Sequence, residues 1–257
     1  VRGKRHDHDA GGDPEVLKAK AALRDDVWTA LTEGKASRFP GARNRISNFI
    51  GAEAAAERLR ETDFWRAART IKANPDSAQL PVRERALRDG KTVYMAVPRL
   101  AEENPFFLLD PDDLADPPRK AASIAGATRS ARRVPVDELA PVDLVISGCV
   151  AVGTDGARLG KGGGFADLEF ALASAAGLIG PDTLVVTTVH ELQVRATGEI
   201  PTAPHDAPVD LIVTPERIID ARAERAPRPA DGVRWDELTE EKIESIPLLR
   251  ALRKAGH

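Results

Sequence analysis

The sequence predicts an α/β fold: a three-layer α/β/α arrangement around a largely parallel sheet. Three observations carry this. Continuous apolar runs, "VDLVISGCVAV", "DTLVVTTV" and "VDLIVTPERII", have the character of strands buried on both faces. Helical segments stand between runs of this kind. Strand, turn and helix then repeat in that order along most of the chain.

The elements follow in order. Val1 to Asp13 is charged, lacks an apolar core and reads as a disordered tail rather than a secretory signal. Its "HDHD" has no apolar neighbours to fix a metal geometry. Pro14 to Leu31 is an amphipathic helix, with Asp13 as N-cap and Val16, Leu17, Leu23, Val27 and Leu31 on one face. A second helix runs from Gly51 towards Arg69. "TIKAN" is a short strand ending in the turn "NPDS", "PVRERALRDG" is a helix, and "KTVYMAVPRL" is a strand stopped by proline. Ala101 to Pro135, rich in proline and acidic residues, is expected to be irregular apart from one short element. "VDLVISGCVAV" follows as one strand, then a glycine loop, a helix to about Gly177, and two further strands. The core domain is expected over 14–220, a linker from Asp220 to Asp231, and one final helix over Asp236 to Lys254 within a C-terminal segment 221–257.

The 257 residues would bury about three quarters of the unfolded surface on folding. A formal net charge of −3, with acidic and basic residues interspersed, supplies no basic face for nucleic acid. The lone Cys149 excludes an internal disulfide and a cysteine-rich metal site, and fits a reducing, cytoplasmic compartment. No apolar run approaches the roughly 18 residues of a membrane span. The oligomeric state is not legible.

The segment "GARLGKGGGFADLEFAL" asks for a function. As a P-loop it fails twice, because Asp155 stands where the first glycine belongs and Gly162 where Ser or Thr belongs. As a G-x-G-x-x-G fingerprint it has Phe165 in place of the last glycine. A plain turn is the bland alternative. Placement favours a phosphate site, since a loop that leaves the C-terminal end of a parallel strand and opens a helix lies where open α/β sheets bind ligands. Glycines let backbone N–H groups approach a phosphate, and the helix N-terminus adds about 0.3–1 kcal/mol for an anion. Arg158 and Lys161 add countercharge. Asp167 has two readings, a helix cap or a ligand for Mg²⁺.

The loop "RLGKGGGFAD" resembles the R-L-G-x-G-x-G-Y-Y-D pattern of 5-formyltetrahydrofolate cyclo-ligases, also called methenyltetrahydrofolate synthetases. Their opening K-x-x-L-R helix is matched by Lys20, Leu23 and Arg24. Their P-x-x-x-x-D-x-x-V-D segment is matched by "PTAPHDAPVDLIVT". The resemblance covers roughly Lys18 to Asp220. It implies a Rossmann-like α/β domain and an ATP- and Mg²⁺-dependent ligase closing 5-formyltetrahydrofolate, or a related N-acyl compound, to the methenyl form. By the same resemblance Lys20, Arg24, Arg158, Gly160, Lys161, Gly162, Gly163, Gly164, Phe165 and Ala166 would hold ATP. Lys20, Arg158 and Lys161 would act in catalysis, and Asp167 and Asp206 would hold Mg²⁺.

Departures from the pattern concern the substrate side. Phe165 and Ala166 replace the tyrosine pair, and the family's folate-side glutamate has only loose counterparts in Asp76, Gln79 and Glu84. "RISNFIG", "NPDSAQ" and "TTVH" with "QV" resemble a divergent branch with "RIPNF-x-G" and "NPD-x-PQ" motifs. On this basis Asn48, Phe49, Gln79, Phe165, His190 and His205 are the substrate-side candidates. His190 is read either as a core histidine or as a proton shuttle at a strand end. Two alternatives stand beside the cyclo-ligase: a non-catalytic nucleotide or folate sensor, and an ATP-dependent ligase of the same fold with a non-folate substrate.

Overall fold

The computed structural model describes residues 13–229 and 232–255; the "HDHD" tail lies outside them. The elements are α1 (Pro14–Glu33), α2 (Ala52–Arg60), α3 (Asp63–Ala67), β1 (Thr70–Ala73), α4 (Leu80–Arg88), β2 (Thr92–Ala96) and β3 (Phe106–Leu109). They continue with α5 (Pro118–Ala121), α6 (Ile124–Ser130), β4 (Arg132–Val134), β5 (Leu144–Ile146), β6 (Ala151–Gly153) and β7 (Arg158–Leu159). The last are α7 (Phe165–Ala175), β8 (Leu184–Thr188), β9 (Val194–Arg195), β10 (Leu211–Val213), β11 (Ile218–Asp220), α8 (Glu240–Ser245) and α9 (Pro247–Ala255).

An eight-stranded sheet has the order β11-β10-β8-β5-β1-β2-β3-β4. The five central strands are parallel, and β11, β3 and β4 run antiparallel to their neighbours or to one another at the edges. One face packs on α2, α4 and α5 through residues such as Leu59, Ile71, Ala73 and Val82. The other packs on α7 and the C-terminal helices through Val145, Val185, Phe170, Ile243 and Leu249. The predicted three layers and largely parallel sheet are those of the structure. From β1 the chain proceeds first to β2 on one side, and only later to β5 on the other. The order therefore reverses between β1 and β5, the crevice where open sheets take ligands.

Four expectations change. The helix expected over 51–69 is two, because the Thr62 side chain caps a new start by accepting from Trp65 N–H at 3.2 Å. The stretch 101–135 is more ordered than its prolines suggest. It forms β3, α5, α6 and β4, with Phe106 and Phe107 both buried on the sheet edge. "VDLVISGCVAV" is two strands in two sheets, β5 in the main sheet and β6 in a three-stranded one ordered β7-β6-β9. The glycine loop consequently leaves β7, antiparallel to β6, and not a strand of the parallel sheet. A tight turn makes the reversal: Gly156 at φ +80° donates to Gly153 O, and Asp155 Oδ1 accepts from Ala157 N–H at 3.1 Å. The final helix is likewise two, α8 and α9, parted at Ile246 ahead of Pro247.

Asp210, almost wholly buried, accepts from Val185 N–H at 2.7 Å and also pairs with Arg225 and Arg228. The charged stretch after β11 is thereby tied to the core. Among the described residues no helix is long and apolar enough to cross a membrane.

Candidate functional site

The loop Gly160–Gly164 lies between β7 and α7. Gly164 adopts the left-handed conformation as α7 N-cap, at φ +62°, and Gly162 lies at φ +101°. Both angles suit glycine. α1 crosses this loop, and its spacing of four residues puts Lys20 and Arg24 on one face. Arg24 Nε donates to Gly160 O at 2.7 Å, and its guanidinium would lie about 3.4 Å from a Cβ at Gly162. Lys20 Nζ bonds both carboxylate oxygens of Asp206, at 3.0 and 2.7 Å, with each side chain less than a tenth exposed.

Arg158 is fixed from three sides. It bonds the Asp167 carboxylate and donates to Gly148 O at 3.2 Å and Ala207 O at 3.4 Å. Asp167 Oδ1 also accepts from Ala207 N–H at 3.0 Å, which brings Asp167 beside the Asp206 segment. Burial pushes the Asp167 carboxyl up, but the Arg158 guanidinium and the Ala207 N–H outweigh it and hold it below the usual carboxylate range. Burial likewise lowers Arg158, and Asp167 more than restores it. Lys161 is half-exposed, its ammonium 3.6 Å from Asp76 Oδ1 across the β1–β5 crevice.

The structure thus assembles Lys20, Arg24, Arg158, Gly160 to Gly164, Asp167 and Asp206 around one loop. Phe165 opens α7 with its ring against Gly163, where an added Cβ would lie 2.9 Å from the ring. Ala166, half-buried in the first turn, brings no polar atom. His205 lies beside Asp206, with Nε2 at 3.6 Å from Oδ1, and its Nδ1 meets Glu237.

Asn48, Phe49, Gln79 and His190 are not gathered at that loop. Gln79 is fully buried, with Nε2 3.5 Å from Thr188 O and Oγ1. Its Oε1 is buried without a hydrogen-bond partner among the described residues. A Cβ on Gly148 would lie 2.9 Å from Gln79 Oε1, 3.0 Å from Ile46 Cγ2 and 3.3 Å from Asp76 Oδ2. Only a glycine lets these groups approach so closely at the ends of β1 and β5. Phe49 is wholly buried in the core and meets the His190 ring edge-on, with centroids 6.4 Å apart. His190 Nδ1 accepts from Leu192 N–H at 3.2 Å, capping a short turn. Asn48 is half-buried, and its carbonyl accepts from Arg38 N–H. Of the loose counterparts to the missing acid, Glu84 is buried and bonded to Arg88 and Arg119, whereas Asp76 faces Lys161.

One constellation escaped the sequence reading. Lys72, in the apolar-looking "TIKA", points to the α7 face and bonds Glu169 at 2.9 Å; Asn74 Nδ2 bonds the same oxygen at 2.7 Å. Asn74 Oδ1 accepts from Gly148 N–H at 2.8 Å. All three side chains are buried. They connect the "NPD" turn to the helix that carries the glycine loop. A lysine between apolar residues in a strand was the available signal.

Among the described residues no group of three or more His, Cys, Asp or Glu side chains forms a metal cage. Mg²⁺ does not require one, because it is held by one or two carboxylates together with substrate phosphates. Asp167 and Asp206, neighbours through Ala207, fit that donor set.

The model of the 5-formyltetrahydrofolate cyclo-ligase family matches residues 16–215. Over 244 residues the chain is 38% identical to the methenyltetrahydrofolate synthase domain-containing protein of Bos taurus, covering 94% of this chain and 63% of that protein. Its human counterpart is 35% identical over 238 residues, 91% of this chain and 61% of that one. The chain therefore spans less than two thirds of the length of these relatives. The solved structure of the Aquifex aeolicus 5,10-methenyltetrahydrofolate synthetase superposes with a TM-score of 0.52 at 19% identity, covering 81% of this chain and 96% of that one, and so shares the fold. On the span and identity of these matches, the chain belongs to the 5-formyltetrahydrofolate cyclo-ligase family.

Proposed function

We propose that this chain is an ATP- and Mg²⁺-dependent cyclo-ligase that converts 5-formyltetrahydrofolate, or a related N-acyl compound, to 5,10-methenyltetrahydrofolate with release of ADP and phosphate. The observation that carries this is the convergence of Lys20, Arg24 and Arg158 on a glycine loop at the start of α7, with Asp167 and Asp206 beside them. Bound ATP would supply the phosphoryl group that makes the formyl oxygen a leaving group. The chain's own residues position and neutralise. The loop N–H groups and the start of α7 would receive phosphate oxygens. Lys20 and Lys161 would balance charge on the transferring group, and Asp167 and Asp206 would hold the ion. Lys20 would then exchange Asp206 for phosphate, a short move for a flexible ammonium. Across the crevice, Asp76 and Gln79 Oε1, which has no partner among the described residues, would receive N–H donors of the substrate.

Lys161→Ala is expected to weaken Mg-ATP binding by about 1–3 kcal/mol, the loss of one charged partner, as read by titration calorimetry. Affinity equal to the parent's would remove Lys161 from the phosphate site.

A second reading, a nucleotide- or folate-binding protein without turnover, is favoured by Phe165 and Ala166, which carry no hydroxyl where the family pattern has two tyrosines. It predicts heat on ATP addition and no ADP.

A further inference from the structure

We propose that the C-terminal segment, which lies beyond the stretch matched by the family, completes the nucleotide site: it walls the pocket for the purine ring and clamps the glycine loop through Lys242. This rests on the ATP reading above. A cavity of about 160 Å³ opens beside the loop, bounded by Val16 and Leu17 of α1, Ala171 of α7, and Val233 and Leu238 of the C-terminal segment. Gly164, Asp167 and Lys242 also line it, so it is continuous with the phosphate-binding loop.

Its place along α1 identifies the occupant. Val16 and Leu17, Lys20, and Arg24 follow one another at helical spacing on one face, an apolar end leading to two cations. At 1.5 Å per residue, Val16 and Arg24 lie about 12 Å apart along the axis, the scale of a nucleoside triphosphate. A flat, largely apolar ring at the cavity end and phosphates at the loop end match that gradient. Asp76, Gln79 and Gly148 do not line this cavity, which leaves their corner of the site for the other substrate.

The segment also grips the loop directly. Lys242 Nζ donates to Gly163 O at 2.9 Å and lies 5.3 Å from the centre of the Phe165 ring. A cation over an aromatic face needs the ring and not a hydroxyl. Phe165 therefore keeps a defined role without the tyrosine oxygen. Glu237 holds the other rim through His205 and Arg234, and Ile243, Ile246 and Leu249 bury the segment on the sheet layer.

The test measures Mg-ATP and Mg-tripolyphosphate affinity for the whole chain and two variants, with melting temperature as the folding control. Ala171→Leu fills the cavity and is expected to weaken ATP about tenfold or more, one well-placed contact, while leaving tripolyphosphate unchanged. Lys242→Met keeps the stem, loses the charge, and is expected to weaken both ligands by a similar factor. Val233→Trp, from the opposite wall, replaces Ala171→Leu if the latter does not fold. ATP affinity unchanged by cavity filling, or both affinities unchanged by Lys242→Met, overturns the inference and leaves the ATP reading intact. A parent chain that binds neither ligand overturns both.

Discussion

Glu169→Ala is expected to destabilise the fold by about 3–5 kcal/mol, because it leaves the Lys72 ammonium buried without its carboxylate. Lys72 and Glu169 have side chains 3% and 5% exposed, so water cannot take over as partner. Asn74 would lose its acceptor as well, and with it one of the two side-chain bonds by which Asn74 ties the end of β1 to α7 and to Gly148. Chemical denaturation reads the effect. The double variant Lys72→Met with Glu169→Leu separates pairing from packing. Apolar groups of similar volume in place of a buried ion pair are often neutral or stabilising, so most of the lost stability should return. A single variant as stable as the parent would mean that the cluster is solvated and does not anchor α7.

Arg158→Met is the second large effect, again about 3–5 kcal/mol for a buried partner removed. Arg158 is 2% exposed by side chain, and its guanidinium joins β7 to α7 and to the Asp206 segment at one point. Its loss frees Asp167 and two carbonyls together. Arg158→Met with Asp167→Asn should recover part of the stability, since the remaining amide is neutral, but not Mg-ATP affinity if, as proposed, the carboxylate holds the ion. Recovery of both would make Asp167 a structural partner of Arg158 and remove it from the ion site.

How much of this was written in the sequence depends on the range of the interaction. Periodicity and caps are local, so the α1 helix with its Asp13 cap was legible, as were the buried strands around Ile71, Val185 and Ile212. The apolar run from Val142 to Val152 was misleading because two strands of different sheets adjoin with only Ser147 and Gly148 to mark the change, and both strands are fully buried. β3 and β4 were hidden for the opposite reason. Prolines and acids surround them, while their stability comes from pairing with β2 and with each other.

The site divides along the same line. Glycine loop, cations and acids could be named from residue type and order in the chain. That Lys20 faces Asp206, 186 positions away, could only be expected through resemblance. Lys72, Glu169 and Lys242 carry no local mark of their partners. A lysine in a strand or on a short helix reads the same whether it meets solvent, a buried carboxylate or a loop carbonyl.

Turnover is the most direct readout of the proposed cyclo-ligase. The chain is mixed with ATP, Mg²⁺ and 5-formyltetrahydrofolate, and the methenyl absorbance is followed together with ADP. Cyclo-ligase turnover would make both products rise together, one ADP for each methenyl group, with neither formed when ATP is omitted. Calorimetrically tight ATP binding with no methenyl absorbance and no ADP would contradict it.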